Sequence, residues 1–373
     1  MSDEIVWKLE PHTHAKHEIL RYYLGAWFPI LASAPRRLLY VDGFAGPGVY
    51  KGREDGSPII AIKVAKDHIL REKLNQAGRE LLFLFIEKDE KRLENLKKKI
   101  LELQLPSNFK IETVCDTFES AFGRVLSEIE EQGKRLAPSF VFIDPFGPTG
   151  FPLQLIGQLA KQARSEVLIN FNYQAINQWF LNVPSMHNRL DELYGSGIWR
   201  QALSIVDTSQ KEDYLMNAYQ SALKSLGWQG RSFRMINKHN QTQYYLFFAT
   251  KSWQGMLAMK QAMWRAAPLG DFKYSDLSNK QQINMFEKTY DENYSNQLAD
   301  QLYKNYRGRI VPKKEIIENY LAWHPICIGR HLTSALKNLE CQCNPPKIQD
   351  VNAPNKVRRR NTYPDDCTIT FAP

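Results

Sequence analysis

The sequence has little with which to cross-link or anchor itself. Its five cysteines, Cys115, Cys327, Cys341, Cys343 and Cys367, are odd in number and scattered over 373 residues. That excludes a disulfide framework and suits a reducing cytoplasm. No apolar run approaches the ~18 residues of a membrane span, so no membrane partner is expected. The start, Met1-Ser-Asp-Glu, lacks the basic-then-apolar order of a secretory signal. Internal repeats and long low-complexity stretches are missing too. Metal-ligand spacing is equally poor. His12, His14 and His17 have no clustered Cys or carboxylate neighbours, and Cys341-x-Cys343 falls short of the usual C-x₂₋₄-C, so no metal is expected. Charge balance is also lacking: 49 Lys and Arg face 40 Asp and Glu, a net +9, with a pI near 9.1. A basic chain favours polyanionic partners, nucleic acid first.

What is present is an ordinary globular composition, 43% hydrophobic and 24% charged, long enough for two domains. Short, nearly continuous apolar runs at 38–41, 81–86, 109–114, 140–143 and 166–169 read as strands covered on both faces. Amphipathic stretches such as 88–105 and 118–133 lie between them. Strand and helix in alternation predict an α/β fold with a parallel, Rossmann-like sheet. The segments 233–237 and 244–250 predict a closing antiparallel hairpin. Residues 173–231 are too long for one crossover and read as a helical insertion, with Trp179, Phe180, Tyr194, Trp199 and Trp228 in its core. A helix at 253–267 carries Met256, Met259 and Met263 as core packing. The first domain is thus expected over 1–267.

The polar segment 268–295 reads as a linker. Beyond it, 296–373 holds expected helices at 316–323 and 329–340. In the second, Leu332, Ala335, Leu336 and Leu339 form one apolar stripe. A basic run and a strand at 368–371 follow, the pattern of a winged-helix module. Arg330, His331, Ser334 and Lys337 are expected opposite the stripe, with Arg358, Arg359 and Arg360 at the wing. Arg330, Lys337 and the arginine triplet are the candidate nucleic-acid contacts. Yet 330–373 carries only seven basic against four acidic residues, so a protein partner remains an equal alternative.

The chemistry-bearing motif is Val41-Asp-Gly-Phe-Ala-Gly-Pro-Gly48, directly after the first strand. Gly46 and Gly48 permit a tight turn and close approach of a ligand. A dinucleotide fingerprint requires a third glycine and an acid ~20 residues on. Here that glycine is missing, and the next strand-end acid, Glu87, lies 39 residues beyond Gly48. NAD(P) therefore fits poorly. Asp42 inside the motif suits a cationic ligand better than a pyrophosphate, and S-adenosylmethionine is such a ligand. One strand-end acid alone reads as a helix cap. Asp42, Glu87 and Asp116 in order beside a glycine turn read as a ligand site.

Asp42, Phe44, Ala45, Gly46 and Gly48 resemble motif I of class I methyltransferases that modify nucleobases. The resemblance covers about residues 36–172. It implies S-adenosylmethionine as cofactor, Glu87 at the ribose hydroxyls, and Asp116, followed by Thr117, at the adenine. It also implies Asp144, Pro145 and Phe146, in Asp144-Pro-Phe-Gly, at the catalytic position. That loop is similar to those of amino-methylating enzymes, adenine-N6 and guanine-N2 alike. A carboxylate and a backbone carbonyl would accept the amine hydrogens, and the aromatic would stack on an extruded base. Asn170-Phe-Asn-Tyr173 is the expected substrate-side lip.

Over more of the chain, the sequence resembles the three-Cys-motif partner protein family (TcmP). The features are Thr13-x-x-Lys16, Gly56-Ser-Pro58, Phe85-Ile-Glu-Lys and Tyr244-Tyr-Leu-Phe-Phe-Ala-Thr. The resemblance implies a methyltransferase acting with an iron–sulfur-type three-cysteine protein. Lys16 is expected at the surface of an N-terminal helix. The alternative function is a catalytically inactive module that keeps the fold for interaction or nucleic-acid binding.

Overall fold

The protein was analysed as a computed structural model, which describes residues 6, 8–31, 37–68, 72, 79–267, 269, 272–277, 280–354 and 358–373. Helix α1 (Pro11–Leu31) precedes the first strand. Then β1 (Arg37–Asp42), α2 (Ser57–Lys66), β2 (Glu80–Ile86), α3 (Glu90–Leu101), β3 (Phe109–Val114), α4 (Phe118–Glu131), β4 (Ser139–Ile143), α5 (Leu153–Ala160) and β5 (Ser165–Phe171) follow. The five strands are parallel neighbours. All five residues of β4 and all seven of β5 are buried, which is why these runs lack alternation. Side-chain caps start the helices: Asp89 accepts from Arg92 N on α3, and Thr117 from Ser120 N on α4.

The insertion holds α6 (His187–Tyr194) and α7 (Thr208–Ser225). The hairpin β6 (Gln229–Ile236) and β7 (Thr242–Thr250) returns antiparallel, with β7 beside β5. The eight-stranded order, with β8 (Lys273–Ser275) at the edge, is β3-β2-β1-β4-β5-β7-β6-β8. Successive crossovers leave β1 toward β3 and then resume at β4 on the other side. The ends of β1 and β4 therefore flank the point where the order reverses, the usual ligand crevice of such sheets. Tyr194, Trp199 and Trp228 are fully buried as expected, whereas Trp179 is 65% exposed.

The chain divides into two compact units. One comprises 1–252 with 274–277, the other 253–273 with 278–373. Helix α8 (Trp253–Ala266) thus belongs to the second unit rather than the first. Its buried Lys260 donates to the carbonyls of Leu321 and His324, and Trp264 Nε1 donates to Ile326 O. The expected linker 268–295 is corrected as well. Residues 280–295 of it belong to α9 (Lys280–Tyr306), and the remainder of that helix buries Leu298, Ala299 and Leu302. The polar composition of residues 280–295 had concealed it.

The second unit continues with β9 (Ile310–Pro312), α10 (Lys313–Ile316), α11 (Gly329–Lys337), β10 (Ile348–Asn352) and β11 (Thr368–Phe371). The three strands form an antiparallel sheet in the order β10-β11-β9. Leu332, Ala335, Leu336 and Leu339 do face a core, with Val311, Ile369 and Phe371. Among the described residues, no helix is long and apolar enough to cross a membrane.

Candidate active site

Site-forming groups gather beyond the carboxyl ends of β1, β2, β3 and β4. After β1 the chain turns through Gly46 (φ +63°) and Gly48 (φ +80°), a conformation L side chains rarely adopt. Gly56 N donates to Gly48 O at 2.7 Å, and Asn95 Nδ2 to Pro47 O at 2.7 Å. The turn is thereby fixed on the start of α2.

Asp42 does not face the crevice. It is fully buried beneath the turn, where Phe44 N donates to Oδ1 at 3.3 Å and the Tyr40 hydroxyl to Oδ2 at 3.4 Å. Burial raises its pKa to about 7, against a lowering by the Ser57 hydroxyl. Glu87 is also buried. Its Oε2 accepts from Gly46 N and its Oε1 from Asp89 N, both at 2.9 Å. Each oxygen keeps a lone pair, and the side chain lines the crevice. Asp116 accepts from Thr117 N at 2.7 Å and Ser120 Oγ at 3.0 Å, and pairs with Arg124 at 2.9 Å. The Thr117 amide, first among these, holds its carboxyl below the ordinary range.

Two recesses adjoin here and share Phe44, Pro145 and Phe146. One, of about 310 Å³, is lined by Glu87, Asp116, Thr117 and Phe118. The other, of about 250 Å³, is lined by Ala45, Gly46, Gly48, Ser57, Asp144 and Asn170, with Lys16 and Tyr244 opposite. Every residue expected at the cofactor or catalytic positions except Asp42 lines one recess or the other. Phe146 is 66% exposed, with the Arg92 guanidinium 5.3 Å from its ring centroid.

Lys16 corrects the sequence expectation. It is only 5% exposed, and its Nζ donates to Asp144 Oδ2 at 2.5 Å. Asn170 Nδ2 donates to Asp144 Oδ1 at 2.6 Å. Nothing local in Thr13-x-x-Lys16 announced this, because the contact spans 128 residues of chain. His12 sits against Asp276, 3.3 Å away. His17 is buried with its pKa lowered to about 3 by desolvation, then by Lys16.

The basic candidates of the second unit divide. Arg330 pairs with Glu287 and Asp291, and His331 is buried on Asp291. Neither presents an unpaired charge opposite the stripe. Arg358, its side chain 17% exposed, makes two 2.5 Å contacts to Glu340 and donates to Thr362 O. These contacts tie the segment before β11 to Glu340. Lys337, Arg359 and Arg360 are exposed.

No protein-family model matches the chain, and no curated protein sequence does. Solved structures of similar fold include Trm1 from Pyrococcus horikoshii with S-adenosyl-L-methionine. That match has 12% identity and a TM-score of 0.39 over 68% of this chain and 59% of that one, so this chain spans less than two thirds of that protein. Others are the O-methyltransferase from Bacillus cereus with SAH, at 12% identity and TM-score 0.34 over 65% and 83%, and magnesium protoporphyrin IX methyltransferase from Synechocystis PCC 6803 with bound SAH, at 12% and 0.33 over 64% and 84%. The strand order decides the architecture. The first unit has a Rossmann-like α/β fold whose strand order reverses between β1 and β4.

Proposed function

We propose that the protein is an S-adenosylmethionine-dependent methyltransferase acting on an exocyclic amine of a nucleic-acid base, adenine N6 or guanine N2. The observation that carries this reading is the crevice itself. A glycine turn with open space at Gly46 meets Glu87 and Asp116 on one side and Asp144 with an exposed Phe146 on the other. Anionic strand ends fit a ligand with hydroxyls and positive charge better than a diphosphate. S-adenosylmethionine would supply an electrophilic methyl group. The residues of this chain would bind it, hold the amine in line and exclude water. Asp144 would accept an amine hydrogen, which frees the nitrogen lone pair, and Phe146 would stack on the base.

Tritiated-methyl transfer into total RNA, DNA and protein, followed by nucleoside mass spectrometry, tests it. Label should appear as methylamino nucleosides. Asp144→Ala should cut transfer at least ~10-fold at saturating S-adenosylmethionine, with S-adenosylhomocysteine still bound. A biological activity indifferent to that substitution would mark an interaction module instead.

The second unit supports a winged-helix reading: α9, β9, α10, α11, β10 and β11 run in the order helix, strand, two helices, two strands. Arg359 and Arg360 are its candidate phosphate contacts, beside Lys337. Replacing both arginines with alanine should weaken nucleic-acid binding and flatten its log–log salt slope by ~1.4–1.8, while cofactor affinity stays unchanged. Wild-type binding across a salt series would turn the module toward a protein. The three-cysteine-motif iron–sulfur-type protein, suggested by the family resemblance, is then the first partner to seek by co-purification.

A further inference from the structure

A buried ammonium needs a partner, and the partner of Lys16 is the loop carboxylate of the proposed reaction. Lys16 reaches Asp144 Oδ2 from α1, while Asn170 reaches Oδ1 from β5. The Lys16 Nζ also lies 5.5 Å from the Tyr244 ring centroid, so its stem is confined between that ring and the loop. Among the described residues lining this recess, Asp144 is the one carboxylate and Lys16 the one lysine. Their charges therefore cancel one for one, and the carboxylate is held from both ends.

We propose that Lys16 is a positioning and charge-matching residue of the acceptor recess, and that the recess consequently takes an uncharged amine and refuses an ammonium. This rests on the methyl-transfer reading above. An ammonium would bring a second cation to an oxygen that already holds one, and it has no lone pair to alkylate. A neutral amine donates one N–H to the remaining lone pair of Asp144 Oδ2 and keeps its own pair for the methyl group. The exocyclic amines of nucleobases are uncharged near neutrality. Lysine side chains are not.

S-Adenosylmethionine and S-adenosylhomocysteine differ by one methyl and one positive charge at sulfur, so the ratio of their Kd values reads the charge around the reacting centre. Calorimetry on the full chain should show K16M raising the preference for S-adenosylmethionine about tenfold, because the carboxylate is left uncompensated. D144N should lower it by a similar factor, since the ammonium is then the uncompensated partner. The double variant should return to the wild-type ratio, and K16R should keep it. Butylammonium chloride, followed by saturation-transfer NMR with S-adenosylhomocysteine present, should bind K16M and not the wild type.

A lysine with only a structural role would move both Kd values together and leave the ratio constant in every variant, which overturns the proposal. Butylammonium binding to the wild type overturns the exclusion of ammonium acceptors. If K16M does not fold, the opposite sign expected of D144N still decides. A wild type that binds neither ligand removes the methyl-transfer reading and this inference with it. A wild type that binds both, with an invariant ratio, removes this inference alone.

Discussion

Gly46→Arg should reduce affinity for S-adenosylmethionine more than 100-fold, measured by calorimetry, while the unfolding midpoint falls by only a few degrees. A Cβ built at Gly46 meets nothing within 4 Å, so a side chain can leave the backbone there without meeting protein atoms. The residue lines the crevice. Its side chain would fill the space a ligand needs and set a guanidinium against a cationic one. The stability cost is confined to the left-handed backbone at φ +63°, about 1–2 kcal/mol for a residue with a Cβ. Gly48 supplies the contrast within the same turn. A Cβ there would lie 2.7 Å from Leu96 Cδ1 and 3.6 Å from Leu96 Cα. Leu96 is fully buried, so Gly48→Ala should lower stability and affinity together. If Gly46→Arg binds like the wild type, the turn is not the cofactor cradle.

Much of the first unit was legible because burial on both faces writes itself into the chain. Each expected parallel strand is observed within two residues of its bounds, and the glycine turn follows β1 directly. Order and spacing placed Gly46, Glu87, Asp116 and Asp144 around one crevice. What spacing cannot encode is the partner a side chain meets across the fold. Glu87 and Asp116 lie in the crevice, yet each also ties down backbone amides there. Lys16 reads as a surface lysine on a helix until α1 is packed and its ammonium meets Asp144. Arg358 reads as one of three equivalent arginines, and only the fold singles it out by presenting Glu340. Trp179 shows the same limit from the other side. Its aromatic character predicted core, but it projects from the π-helical turn Ile176–Phe180, and the insertion's core is filled by Trp199 and Trp228 instead.

The three acids that follow the first three strands look equivalent in sequence and differ physically in depth. Glu87 lies beside the crevice with both oxygens on backbone amides. Asp116 is partly exposed and ion-paired to Arg124. Asp42 is fully enclosed, with neutral donors around it. At Asp42 desolvation exceeds the hydrogen bonds it receives, so there the charged form is the disfavoured one.

Asp42→Asn should therefore stabilise the first unit at pH 8 and leave it nearly unchanged at pH 4. The pKa of Asp42 rises from 3.8 to about 7 on folding, chiefly through burial. Below pH 4 the carboxyl is protonated in both states, and no penalty applies. Between pH 4 and 7 the unfolded chain releases a proton that the folded one retains, so wild-type stability falls as pH rises. Above pH 7 both forms are ionised, and the penalty levels off at about 4 kcal/mol, at ~1.4 kcal/mol per pH unit. Asparagine cannot ionise. Its Oδ1 can still accept from Phe44 N, and its Nδ2 can donate to the Tyr40 hydroxyl, two of the groups that face Asp42 beside the Ser57 hydroxyl. The substitution should raise unfolding free energy at pH 8 by about 2–4 kcal/mol and flatten the pH dependence between 4 and 7. Hydrogen exchange at the amides of β1 and β4 in a denaturant series would isolate this unit from the other. Parallel pH profiles for the wild type and Asp42→Asn would mean that Asp42 has the same pKa folded and unfolded, and that burial beneath the turn does not set its charge.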